Sequence, residues 1–116
     1  MENKQRQIAY KVTISEVLEG KYVKEGGWVP NYVVIGENNV SRINIVGIII
    51  AKIDEGGNGG VLVDDKTGNI SIRTFDNSSI FDKVGVGDII LLIGRPREYN
   101  NEKYVVPEII KKINKS

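Results

Sequence analysis

One stretch limits this chain more than any other. Residues Arg42 to Ile53 form a long β-branched run with a single glycine, Gly47, inside it. Isoleucine and valine are stiff at χ1 and fit a pleated sheet better than a helix. A glycine within such a run marks a bulge or sharp bend. Shorter runs of the same kind follow: Val61 to Val63, Asn69 to Phe75, Ile89 to Gly94 and Tyr104 to Ile110. Asp65-Lys66-Thr67-Gly68 and Val86-Gly87-Asp88 read as turns. Residues 54–60 (DEGGNGG) and Arg95 to Glu102 read as connecting loops, and Asp76 to Val84 as a polar segment with one helical turn. Pro107 suggests an edge or an irregular end for the last strand.

Strands this short, with almost no helical periodicity between them, predict a small all-β barrel. A long bent first strand suits a five-stranded Greek-key barrel, in which it pairs in both halves. That is the OB-fold barrel, and the long glycine-interrupted strand favours it over an SH3-like barrel. The barrel is expected over 42–113, with residues 1–41 as an N-terminal extended segment packed on it. In that segment the alternation of Ile8, Tyr10, Val12 and Ile14 favours a strand over a helix across 8–18, with a short turn at Glu16-Val17-Leu18 left open. Trp28 to Ile35 reads as extended. Trp28 and Tyr32 are expected to be packing anchors rather than binding residues.

Composition excludes much chemistry. With no cysteine and no histidine, the chain has no disulfides, no Cys- or His-based metal site and few acid–base options. Asp54-Glu55 and Asp64-Asp65 lack the spacing of a calcium loop. Gly56-Gly57-Asn58-Gly59-Gly60 lacks the Gly-Lys-Ser/Thr of a phosphate loop and reads as a connection that can close over a ligand. No enzyme activity, cofactor, metal or small-molecule substrate is expected. The apolar run Ile45 to Ala51 is too short to cross a bilayer, and the first residues lack an apolar leader core. A cytoplasmic protein without membrane contact is therefore expected. The net charge of +1 argues against binding by bulk charge. Its distribution is uneven, with basic residues gathering after Arg95.

Side chains alternate along a strand. In Asn69 to Phe75 this puts Ile70, Ile72 and Thr74 on one face and Ser71, Arg73 and Phe75 on the other. The second face sets a ring beside a guanidinium. A surface that stacks bases and holds phosphates has use for that pair. Arg95 and Arg97 flank Pro96, share a face and precede Tyr99. Lys52 and Lys103 are further candidate cations.

Several stretches together resemble the OB domain of the replication protein A family: Ala9 to Val12, Trp28 to Val33, Val40 to Gly47, Val63 to Ile70, Gly87-Asp88 and Ile93 to Tyr99. The likeness is strongest to the archaeal replication-protein-A-associated proteins, relatives of the middle subunit. It implies single-stranded DNA binding, sequence-tolerant, in replication, repair and recombination, with another replication protein A subunit as partner. It implies that Phe75 and Tyr99 stack on bases and that Arg73, Arg95, Arg97 and Lys103 contact phosphates; Ser71, on the face of Arg73 and Phe75, and Lys52 are added as candidates from the residues themselves. Two alternatives stay open. The barrel can be a structural subunit that mainly binds protein, since fold alone does not decide function. RNA and DNA are not separated, because stacking is common to both.

Overall fold

The structure is a computed structural model, and it describes residues 8–55, 58–75 and 78–113. Along these residues run β1 (Tyr10–Lys11), α1 (Ile14–Glu19), β2 (Lys21–Val23), β3 (Tyr32–Ile35), β4 (Asn38–Val40), β5 (Ile43–Glu55), β6 (Asn58–Asp64), β7 (Asn69–Thr74), a 3-10 turn (Ser78–Phe81), β8 (Ile89–Tyr99) and β9 (Glu102–Lys112).

The barrel is built from β5 to β9. Their order is β5-β6-β7-β9-β8, and β8 returns to pair with β5, so the sheet closes. All pairings are antiparallel except the short parallel junction of β7 with β9, Ser71↔Tyr104 and Ile72↔Val105. This is the five-stranded OB-fold barrel expected from the strand pattern. β5 closes it by pairing with β8 over Ile43 to Ile48 and with β6 from Ile48 onward.

One detail differs from expectation. The irregularity in β5 lies between Ile49 and Ala51, not at Gly47. Gly47 instead marks a close approach. A Cβ there would stand 2.6 Å from Val63 Cγ1 and 2.9 Å from the Asp64 carbonyl oxygen. Pro107 fits its expected place at an irregularity on a strand paired on one side. It pairs with Gly94 at a bulge in the β8–β9 ladder, beyond the point where β9 leaves β7.

The core follows the strand alternation. Ile43, Ile45 and Ile49, Val61 and Val63, Ile70 and Ile72, Ile90 and Leu92, and Val105 all point inward and are buried. Phe81 joins them from the 3-10 turn. Residues 54–60, expected to be a loop, are mostly strand, because β5 and β6 stay paired as far as Glu55 and Asn58. Residues 56–57 lie outside the described residues.

The expected strand over 8–18 is corrected. Only Tyr10–Lys11 is extended, pairing in parallel with Ile43 and Asn44 of β5. Ile14–Glu19 is helical and buries Ile14 and Val17 in the barrel core. A capping box overrides the alternation. Glu16 N donates to Thr13 Oγ1 (3.2 Å), and Thr13 N donates to Glu16 Oε1 (2.9 Å). The β6–β7 turn satisfies two more helix donors: Ile14 N donates to Asp65 Oδ2 (2.9 Å) and Ser15 N to Thr67 Oγ1 (3.0 Å). Partial burial pushes the Asp65 carboxyl up. Hydrogen bonds from Thr67, Ile14 and Gly68 outweigh that and hold it below its ordinary value.

Trp28 is also corrected. It is 100 % exposed, so it does not anchor the segment to the barrel. Polar side chains tie its loop down instead. Glu25 N donates to Asn31 Oδ1 (2.9 Å), Asn31 Nδ2 to Tyr22 Oη (3.0 Å), and Tyr32 Oη to Glu25 Oε2 (3.1 Å). The bond to Glu25 also holds the Tyr32 phenol above its usual pKa. Beyond the loop, β2, β3 and β4 form a small antiparallel sheet that buries Val33 and Val40.

Candidate nucleic-acid interface

The outer face of the barrel is set by register. On β7, Ile70, Ile72 and Thr74 are buried, while Ser71 and Arg73 are half-buried and Phe75, just past the strand, is 58 % exposed. On β8, Ile90, Leu92, Gly94 and Pro96 face inward, which leaves Arg95, Arg97 and Tyr99 facing out. Arg95 to Glu102 is thus not the loop expected. β8 runs through Tyr99, and β9 resumes at Glu102 after only Asn100 and Asn101.

Both asparagines have positive φ, 53° and 64°. Two-residue hairpins of the type I′ kind need that conformation, and asparagine tolerates it better than most residues. The tight turn fixes the pairs Tyr99↔Glu102 and Arg97↔Tyr104 across the hairpin. The β7–β9 junction then sets Tyr104 beside Ser71.

The result is a groove of about 420 Å³ lined by Ser71, Arg73, Phe75, Tyr99, Glu102 and Tyr104. Phe75 meets Tyr104 edge to face, with ring centroids 6.0 Å apart and planes at 84°. Such a T-shaped pair holds each ring's orientation without covering both faces. Tyr99, 72 % exposed, supplies a third ring on the opposite strand. Arg73 Nε donates to Ser71 Oγ (3.3 Å), which steadies the guanidinium over the strand. Tyr104 and Glu102 were missed in the sequence. The Asn-Asn pair was the signal: read as a two-residue turn, it places both by counting outward.

The remaining candidates are dispersed. Arg97 lies in the same outer row as Tyr104 and donates to the Pro96 carbonyl (3.1 Å). Arg95 Nε is bonded to Glu108 Oε2 (3.0 Å), and the same carboxylate takes Arg42 Nε on its other oxygen (2.6 Å). Arg95 is therefore drawn towards β9 and β5 rather than the rings. Lys103 pairs with Glu98 (3.3 Å) and donates to the Leu18 carbonyl (3.1 Å). It lines a second hollow of about 370 Å³ that adjoins the first through Ser71, Arg73 and Glu102. Lys52 is not brought into the groove. It pairs with Val61, whose partner is Ile72, whereas Arg73 is in register with Gly60 and Ile53. Among the described residues no cluster of three or more acidic, histidine or cysteine side chains could hold a metal ion. No helix among them is long and apolar enough to cross a membrane.

The outer face of β8 changes character along its length. Ile89, Leu91 and Ile93 come first, then Arg95, Arg97 and Tyr99. The aliphatic half continues onto Val46 and Ile48 of β5 and Ile109 of β9, all partly exposed. The Arg42–Glu108–Arg95 cluster lies at the boundary between the two halves.

The barrel topology defines an OB-fold protein with a ring-lined groove on its outer face. Solved structures agree on the fold. A chain of a replication protein A heterotrimer bound to single-stranded DNA superposes with a TM-score of 0.73 at 15 % identity, covering 93 % of this chain and 83 % of that one. A chain of the S. pombe Stn1–Ten1 complex superposes with a TM-score of 0.72 at 18 % identity, covering 96 % and 81 %. In sequence, the chain is 32 % identical over 109 residues to an uncharacterised protein of Methanocaldococcus jannaschii, covering 94 % of this chain and 43 % of that protein. The chain thus spans less than half the length of that relative. No family model matches the sequence.

Proposed function

We propose that this chain is a non-enzymatic, single-stranded DNA-binding OB-fold protein of the replication protein A type. The observation that carries the reading is the groove itself: Phe75, Tyr99 and Tyr104 surround a hollow with Arg73 at its side. Bases have two faces to stack and no fixed edge to match, so rings on a barrel face bind them with broad sequence tolerance. Arg73 and Arg97, with Lys103 at the adjoining hollow, supply charge for phosphates. Arg95 acts mainly by fixing Glu108 and the β8–β9 bulge. The resemblance to replication protein A and the match to a DNA-bound assembly of that name support the same reading. Fluorescence anisotropy with a labelled oligothymidine tests it. Binding that weakens as salt rises is expected, because each neutralised phosphate releases counterions. No binding at low salt, or a response flat in salt, would count against it.

A second reading has its own observation. Val46, Ile48, Ile89 and Ile109 form a contiguous, partly exposed aliphatic strip on one barrel wall. It suits docking of another OB-fold subunit, in keeping with the multi-chain replication protein A and Stn1–Ten1 structures. Substituting Ile89 and Ile109 by Lys would abolish co-purification with such a subunit while leaving oligothymidine binding intact. The opposite pattern would discard it.

A further inference from the structure

An exposed carboxylate lining a groove meant for a polyanion needs a reason. Glu102 lines both the ring-bearing hollow and the adjoining one. Among the described residues its carboxylate makes no ion pair or side-chain hydrogen bond, although the neighbouring acid Glu98 is paired with Lys103. Its position is fixed: Glu102 opposes Tyr99 directly across a tight two-residue turn. Asn69 and Asn101 also line the adjoining hollow. Glu102 is shared by the two hollows, so a base stacked on Tyr99 or Tyr104 would bring its edge towards Glu102 first and the asparagines beyond it.

Resting on the single-strand reading above, we infer that Glu102, with Asn69 and Asn101, forms a base-edge pocket that favours bases bearing an exocyclic amino group and disfavours thymine and uracil. An ionised carboxylate only accepts hydrogen bonds. The amino group of cytosine donates to it, as in the known pairing of Glu or Asp with cytosine N4. Thymine offers a carbonyl oxygen at the same place, which sets acceptor against acceptor. The amides can either donate or accept, so they serve the rest of the edge. Recognition of splayed bases by their edges is usual for single strands. The binder stays tolerant along most of its track and discriminates at one nucleotide.

Oligodeoxycytidine and oligothymidine of equal length separate this from stacking alone, since both are pyrimidines. Anisotropy titrations at about pH 8 keep cytosine neutral. The wild-type chain should bind the cytidine strand roughly three- to tenfold more tightly, the scale of one water-exposed charge-assisted hydrogen bond. Glu102→Gln and Glu102→Ala should bring that ratio to about one, while circular dichroism stays unchanged. Removing the charge alone would strengthen both strands equally, so the ratio is the readout. Equal affinities in the wild type, or a ratio that survives both substitutions, overturns the pocket and leaves the single-strand reading standing. Failure to bind any single strand, DNA or RNA, removes both.

Discussion

Phe75 is the residue on which sequence and structure agree most directly. Alternation along Asn69 to Phe75 put it opposite the isoleucines, and it is exposed while Ile72 is fully buried. Phe75→Ala should therefore leave the unfolding midpoint nearly unchanged and weaken oligothymidine binding by roughly 1–3 kcal/mol, the usual worth of one stacked base. A cooperative loss of stability in urea would instead mean that the ring supports the barrel. Tyr104 is a harder case, because it also meets Phe75 edge to face. The sequence offered it only as one more strand residue. Its role depends on Ser71 standing beside it, and those two are joined by a parallel pairing that no local pattern announces. Arg95 shows the reverse failure: its face was legible, but its attachment to Glu108 was not.

At the scale of elements, short polar signals decided what hydrophobic alternation misread. The Thr13-to-Glu16 capping box turned an apparent strand into α1. Thr13→Ala should cost about 1 kcal/mol in denaturant unfolding. Asp65 anchors the same helix from the β6–β7 turn. Its pKa is lowered on folding, so its contribution is complete above the unfolded value near 3.8 and fades as pH falls through the lower folded one. Asp65→Asn should therefore flatten the acid side of the stability profile, measured by urea midpoints from neutral pH downward. Asn100 and Asn101 set the β8–β9 hairpin. Asn101→Ile, a β-branched residue at positive φ, should destabilise by roughly 1–2 kcal/mol. Because the turn positions Tyr99 and Glu102, binding should weaken with it.

Across the whole molecule, closure of the barrel is what creates the candidate site. β5 reaches both β8 and β6, and Gly47 lies where a side chain would strike Val63 and the Asp64 carbonyl. Gly47→Val should cost roughly 1–3 kcal/mol or more by overpacking, read from thermal unfolding. The charge layout is a property of this scale too. With Arg73, Arg97 and Lys103 near the two hollows, a log–log salt dependence of roughly −2 is expected for a single strand. A slope near zero would place the phosphates elsewhere. The uneven charge along the sequence hinted at such a side, yet Lys52 ends on the other set of β5 side chains, because register rather than proximity in sequence sorts the strand's faces.

Taken alone, the chain's residue order determined the local things: most extended runs, their two faces, the turn at Asp65 to Gly68, and the outward placing of Phe75 and Arg73. Alternation with a period of two is a property of neighbouring residues, so it can be read without a fold. Folding decided which of those outward residues meet. The groove joins β7, β8 and β9 through one parallel and one antiparallel pairing, and such contacts between distant segments leave no local periodicity to read.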